Sequence, residues 1–261
     1  MEIQVAVAKI GKYATSESGD TVEMIERPLG GLSLVMADGQ RSGKPAKVIS
    51  NVVVRKAISL LGEGVRDGAA ARATQDYLYT YRRGKVQATL NIASVDLQTR
   101  TVVLSRNNQC PVIVVNRGSL GVLDDSSVPI GVHRGTKPVI TEIPITAGTY
   151  VVMFTDGIAD AGVTSPDGPL DVPKLVSEHL DIDQTGHDQL DDADVTDEHL
   201  TTPLRPDARG LADAILYRAI SRDDGRPRDD MTVVVLASLD RTMDDDVRHM
   251  FVRYPIPHIV N

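Results

Sequence analysis

Short apolar runs with interleaved polar residues recur along the chain, at 3–8, 32–37, 88–95, 101–105, 112–116, 150–154 and 231–236. They are rich in Val, Ile, Thr and Tyr and are bounded by Gly, Asn, Asp or Pro, which predicts β-strands. Three segments carry the helical period instead. Across 44–61, Ala46, Val48, Ile49, Val52, Val53, Ile58, Leu60 and Leu61 make a broad apolar face. Residues 69–81 and 208–220 are the other two, the latter striped by Leu211, Ala214, Ile215 and Ile220. Residues 88–116 read as an antiparallel meander with polar turns at 96–100 and 107–111. Strands and helices are grouped rather than alternated, so the expected class is α+β with mainly antiparallel sheets. Neither a GxGxxG nor a GxxxxGK[ST] phosphate loop is present.

Charge changes the picture along one stretch. The 261 residues hold 28 Lys and Arg against 36 Asp and Glu, a net charge of −8. Nine of the acids lie between Lys174 and Arg205, a span without Lys or Arg, so the rest of the chain carries +1. The 175–204 stretch therefore reads as an acidic loop or flap inserted in a near-neutral domain. An acidic chain is poorly suited to capture nucleic acid, which needs a cationic face. A single cysteine, Cys110, makes no internal disulfide and reads as a small buried thiol. The longest apolar runs fall far short of the ~20 residues that span a bilayer. No secretory signal fits the N-terminus, so a cytoplasmic protein without a membrane partner is expected. The six histidines show no zinc-type spacing.

The candidate chemistry lies in aspartates at strand ends. Asp38 follows the 32–37 run and precedes Gly39; Asp156 follows 150–154 and precedes Gly157; Asp229 and Asp230 precede the run from Met231. Asp20 follows Ser18-Gly19, where the chain turns towards the 32–37 strand. One Asp-Gly alone is an ordinary turn. Several carboxylates carried inward on apolar strands would repel one another, and hard cations such as Mg²⁺ or Mn²⁺ offset that repulsion. The glycines after Asp38 and Asp156 would let backbone approach the ion.

Three segments together resemble the motifs of metal-dependent (PPM/PP2C-like) protein phosphatases. They are Asp38-Gly39-Gln40-Arg41-Ser42-Gly43, Phe154-Thr155-Asp156-Gly157-Ile158-Ala159-Asp160-Ala161 and Asp229-Asp230-Met231-Thr232-Val233. The similarity is to the bacterial branch related to the sporulation stage II E phosphatase and the stress-response regulatory phosphatases. It implies a four-layer αββα sandwich with two central antiparallel sheets. It also implies a catalytic domain over 1–240, while residues 241–261 read by themselves as an appended helix and tail. By the same resemblance two Mn²⁺ or Mg²⁺ ions would be held by Asp38, the Gly39 carbonyl, Asp156 and Asp229, with Asp20 contributing directly or through metal-bound water, and Asp230 would play a supporting or turn role. A metal-activated water, not a protein nucleophile, would hydrolyse phosphoserine or phosphothreonine on a signalling partner of the anti-sigma-factor-antagonist type or a related stress-signalling scaffold. The 43–61 segment, which moves in relatives, would be a switch.

Two departures stand out. Relatives usually have Asp-Gly-Met-Gly-x-Gly where this chain has Gln40 and Arg41; Arg41 could contact substrate phosphate or be a solvated loop cation. Relatives tend to have Ala-Gly-His before a proline where this chain has Asn107, Asn108 and Gln109. There Asn108, tolerant of left-handed backbone, would preserve the turn. Two rival readings remain at this level. One is a pseudophosphatase that binds a phosphorylated partner without turnover, and the other is a small-molecule phosphatase.

Overall fold

In the computed structural model, which describes residues 1–28, 30–182, 206–240 and 247–253, ten strands form two five-stranded antiparallel sheets. The first sheet is ordered β1-β10-β9-β6-β7, from Glu2–Ile10, Met231–Leu239, Thr149–Phe154, Val112–Asn116 and Ser119–Leu123. The second is β2-β3-β4-β5-β8, from Asp20–Glu26, Leu32–Asp38, Leu90–Asp96, Thr101–Asn107 and Val139–Pro144. Helices α1 (Gly43–Gly62) and α2 (Asp67–Arg82) cover the second sheet, while α4 (Val172–His179) and α5 (Ala208–Arg222) cover the first. A single turn, α3 (Asp156–Ala159), follows β9. This is the four-layer αββα sandwich that the resemblance implies.

Three apolar clusters hold the layers together. Between the sheets, Leu34, Met36, Val95, Leu104, Met153, Val234 and Leu236 interlock. Outside them, Ile49, Val53, Ala57 and Leu61 of α1 pack with Leu78 of α2 over Val35 and Ile92, and Leu211, Ile215 and Ala219 of α5 pack over Val233 and Val235. Strands β9 and β10, buried at every position, read as continuous apolar runs because both of their faces meet a layer.

Four sequence expectations are corrected. The 88–116 segment is not one meander, because β4 and β5 pair in one sheet while β6 belongs to the other. The crossing is secured by buried polar side chains: Arg106 donates to the carbonyls of Asn108 (3.1 Å) and Asp125 (2.5 Å), and Asn107 to those of Val128 and Lys137 (both 3.1 Å). Asn108 keeps negative φ, and its side-chain oxygen accepts from the Cys110 amide at 3.0 Å, so a side-chain bond closes the turn. The start of the acidic 175–204 stretch is helix, with Leu175 and Val176 of α4 on the first sheet's outer core; the remainder from 183 lies outside the described residues. In the tail, residues 247–253 carry no helix, and 241–246 and 254–261 lie outside the described residues.

Candidate metal centre

The end of the sandwich where β2, β3, β9 and β10 meet gathers the aspartates. Asp20 opens β2 and sits directly opposite Asp38, the last residue of β3, in the antiparallel register. Side chains so paired have Cβ atoms roughly 5 Å apart. Asp156 comes off the end of β9, and Asp229 stands two residues before β10. Each sheet thus contributes two acids to one edge of the interlayer space.

Packing requires two glycines there. A Cβ on Gly39 would lie 2.1 Å from the Ala46 carbonyl oxygen in the first turns of α1, and one on Gly157 would lie 2.2 Å from the Asp230 carbonyl oxygen. The bridge from β3 towards Ala88 is made by the Asp38 carbonyl and the Gln40 amide, so it does not use the Gly39 carbonyl.

Asp20 is fully buried. One carboxylate oxygen accepts from the hydroxyls of Thr232 at 2.5 Å and Thr155 at 3.1 Å; the other, Oδ1, is buried with no hydrogen-bond partner. Burial pushes the Asp20 carboxyl up to about 6, against the Thr232 bond and the Lys9 charge, which favour the anion. Asp38 is pushed up to about 9, by burial first, then by the charges of Asp20 and Asp156, by the hydrogen bond its protonated form makes to Asp20, and by the charge of Asp229. Asp156 stands at the exposed rim and is raised as well, by the surrounding protein and by Asp229. Asp38 is therefore the member that feels all three other acids.

Asp230 points elsewhere. Its two oxygens accept from the backbone amides of Lys12 (2.9 Å) and Gly19 (2.8 Å), pinning the β1–β2 loop that leads into Asp20. Asp223 plays a comparable part for Asp229: buried at the end of α5, it accepts from the amides of Gly162 (2.9 Å) and Arg228 (3.0 Å). On the other flank, Lys9 and Lys47 both donate to the Asp20 carbonyl, at 3.0 and 2.6 Å, and the Ser50 hydroxyl donates to the Gly19 carbonyl at 2.5 Å. Sequence reasoning did not single out Thr155, Thr232, Lys9, Lys47, Ser50 or Asp223. The two threonines lie inside the quoted motifs, but the others serve the site only through the fold.

Among the described residues no group of three or more His, Cys, Asp or Glu side chains is arranged so that it could hold a metal ion by itself. The donors nevertheless fit a hard cation. They are carboxylate oxygens, one of them a buried Asp20 oxygen that no neighbouring N–H or hydroxyl reaches, and the bridge at Gly39 leaves that residue's carbonyl unused. Arg41 lies outside this cluster, exposed and in left-handed backbone at φ 76°.

Comparison with known proteins decides the family. The family model of stage II sporulation protein E (SpoIIE) matches residues 28–238. The chain belongs to the SpoIIE family. It is 22% identical over 233 residues to stage II sporulation protein E of Priestia megaterium, covering 89% of this chain and 36% of that protein, so it spans about a third of that relative's length. The fold is similar to the PP2C phosphatase domain of SpoIIE from Bacillus subtilis, with TM-score 0.71 and 21% identity over 91% of this chain and 63% of that one. It is also similar to RsbX in complex with magnesium (TM-score 0.61, 16% identity, 90% and 94% covered). The catalytic domain of the serine/threonine phosphatase PstP, solved with two manganese ions, is a further likeness (TM-score 0.62, 17% identity, 91% and 99% covered). The architecture is thus that of PP2C-type phosphatases, and no helix among the described residues is long and apolar enough to cross a membrane.

Proposed function

We propose that the chain is a metal-dependent phosphatase that removes phosphate from phosphoserine or phosphothreonine on a cytoplasmic bacterial signalling protein, of the anti-sigma-factor-antagonist kind. The observation that carries this reading is the convergence of acids at one strand end: the register sets Asp38 opposite Asp20, and β9 and β10 bring Asp156 and Asp229 to the same edge, so that burial and these charges raise the Asp38 carboxyl. So much negative potential at one strand end favours divalent cations over any neutral occupant. Asp20, Asp38, the Gly39 carbonyl, Asp156 and Asp229 would hold two Mn²⁺ or Mg²⁺ ions. When bound, such ions supply a polarised water and offset charge on the phosphoryl group.

The chain's own groups prepare that chemistry. Thr155 and Thr232 fix one oxygen of Asp20 and leave the other free to ligate. Asp230 and Asp223 hold the loops that deliver Asp20 and Asp229 and are themselves occupied by backbone amides. Covalent catalysis by the neighbouring thiol is disfavoured: burial and the Asp156, Asp160 and Asp38 charges push Cys110 up to about 12, which keeps it protonated at neutral pH. Membership of the SpoIIE family supports a phosphoprotein substrate.

The test is hydrolysis of p-nitrophenyl phosphate with Mn²⁺, with EDTA, and by Asp38→Ala and Asp156→Ala variants. Turnover is expected only with metal and is expected to fall by on the order of 10³-fold in Asp38→Ala. Metal-independent turnover, or full activity in both variants, overturns the proposal.

A further inference from the structure

Beside the aspartates, where the start of α1 meets the end of α2, lies a groove of about 370 Å³. It is lined by apolar Val48, Ile49 and Val86 and by three cations, Arg41, Arg82 and Lys85. No acid lines it, and among the described residues none of the three cations is paired with a carboxylate. Outside the acidic 175–204 stretch the chain carries only +1, so three such cations along one groove are a local concentration of positive charge. We propose that this groove docks the residues flanking the phosphorylated serine or threonine, and that it selects a substrate segment with an apolar side chain followed by acidic ones. The inference rests on the phosphatase reading above for what brings the segment there.

Three observations carry it. The first is reach: Arg41 is three residues beyond Asp38, and three residues of chain span at most about 10 Å. A phosphoryl group held against Asp38 therefore leaves the next two or three residues of an extended substrate over the groove. The second is the exposure of Val48. It lies on the 44–61 face that reads as apolar, yet it is 44% exposed and lines the groove while Ile49 beside it is buried. The third is the setting of Arg41. A φ of 76° is costly for a side chain other than glycine, by roughly 1 kcal/mol, and the related pattern has glycine at this position. Arg83, Arg100 and Arg117 share left-handed backbone elsewhere in the chain, so what sets Arg41 apart is its place in the groove lining three residues beyond Asp38. The Arg82 guanidinium lies 5.1 Å from the centre of the Tyr81 ring, an interaction that positions its charge without neutralising it.

Two labelled phosphoserine peptides test this, one continuing Leu-Glu-Glu and the other Leu-Lys-Lys. Their kcat/KM values are measured with Mn²⁺ against that of p-nitrophenyl phosphate, for the natural chain, for Arg82→Glu/Lys85→Glu, and for Lys85→Glu alone, whose exposed side chain puts folding least at risk. The natural chain is expected to prefer the acidic peptide about tenfold. The double variant is expected to lose or invert that preference through KM, and the single variant to weaken it. Equal use of both peptides by the natural chain, or a preference unchanged in the variants, overturns the groove while leaving the phosphatase reading standing. If nothing is hydrolysed the phosphatase reading fails, and fluorescence anisotropy still reads the groove. Tighter binding of the acidic peptide, lost in the double variant, supports docking; equal binding of both overturns it.

Discussion

Helices α1 and α5, one from each outer layer, serve the sandwich differently. Helix α5 buries Leu211, Ala212, Ile215 and Ala219 on its sheet and reaches the aspartates only through Asp223 at its end. Helix α1 buries a similar apolar stripe, yet it also sends Lys47, Ser50 and Asn51 into polar contacts with Gly19, Asp20 and Thr21. The α5 layer is therefore scaffold, held by area removed from water, whereas the α1 layer is wired to the strand that carries Asp20. A shift of α1 cannot leave Asp20 unchanged, because hydrogen bonds are directional where apolar contact is tolerant.

The sharpest way to test what the site costs its own fold is Asp38→Asn. An aspartate ordinarily titrates near 3.8, and Asp38 in the folded protein is raised to about 9. The folded state then binds the proton more tightly than the unfolded chain. Its contribution to stability is complete below the ordinary value and is lost as pH rises through the interval up to about 9. Asp20, raised to about 6, acts in the same direction over the lower part of that interval. In EDTA at pH 8 the Asn variant is expected to melt several degrees above the natural chain, and the gap is expected to close near pH 4. Mn²⁺ should raise the melting temperature of the natural chain far more than that of the variant, although turnover by the variant is abolished. A variant no more stable than the natural chain at pH 8 would show that these carboxylates do not strain the fold.

The contrast between the helices is broken or kept by a pair of substitutions. Ile215→Ala, at a fully buried position of α5, should cost about 2–5 kcal/mol by urea denaturation. Activity per folded molecule and apparent Mn²⁺ affinity should stay the same. Ser50→Ala on α1 should cost only about 1–3 kcal/mol, since it leaves the buried Gly19 carbonyl without its donor. It should nevertheless weaken Mn²⁺ binding, read by titration of the melting temperature. If the two variants affect metal affinity equally, the wiring of α1 to Asp20 has no functional meaning.

What the sequence made legible follows the same division between apolar and polar roles. Strands buried on both faces, β9 and β10, announce themselves as unbroken apolar runs, and the periods of α1, α2 and α5 locate those helices within a residue or two. The missed strands β2, β7 and β8 are all sheet edges, where at least one face meets solvent and the composition turns polar. That omission mattered, because β2 is what sets Asp20 opposite Asp38. The four aspartates could be picked out from strand ends and motif resemblance. Their supports could not: Lys9, Lys47, Ser50 and Asp223 are ordinary surface-type residues in sequence, and only the meeting of distant segments gives them buried partners.

The smallest expected effect separates backbone from side chain at the junction of the site and α1. Arg41 holds a φ of 76°, and Gly43 two residues later holds 68°, so the entry to α1 uses left-handed backbone twice. Arg41→Gly should relieve the strain at the first of these and stabilise the protein by about 1 kcal/mol or less, the gain being reduced by the greater freedom of glycine in the unfolded chain. If the turn is all that matters at position 41, that variant should match or exceed the natural chain with every substrate. If the side chain serves the groove, the stabilised variant should have a raised KM for the acidic phosphopeptide while its melting temperature is unchanged or higher. A substitution that improves the fold and impairs recognition cannot be explained by damage, which makes this modest change the cleanest reading of why an arginine stands where the related pattern has glycine.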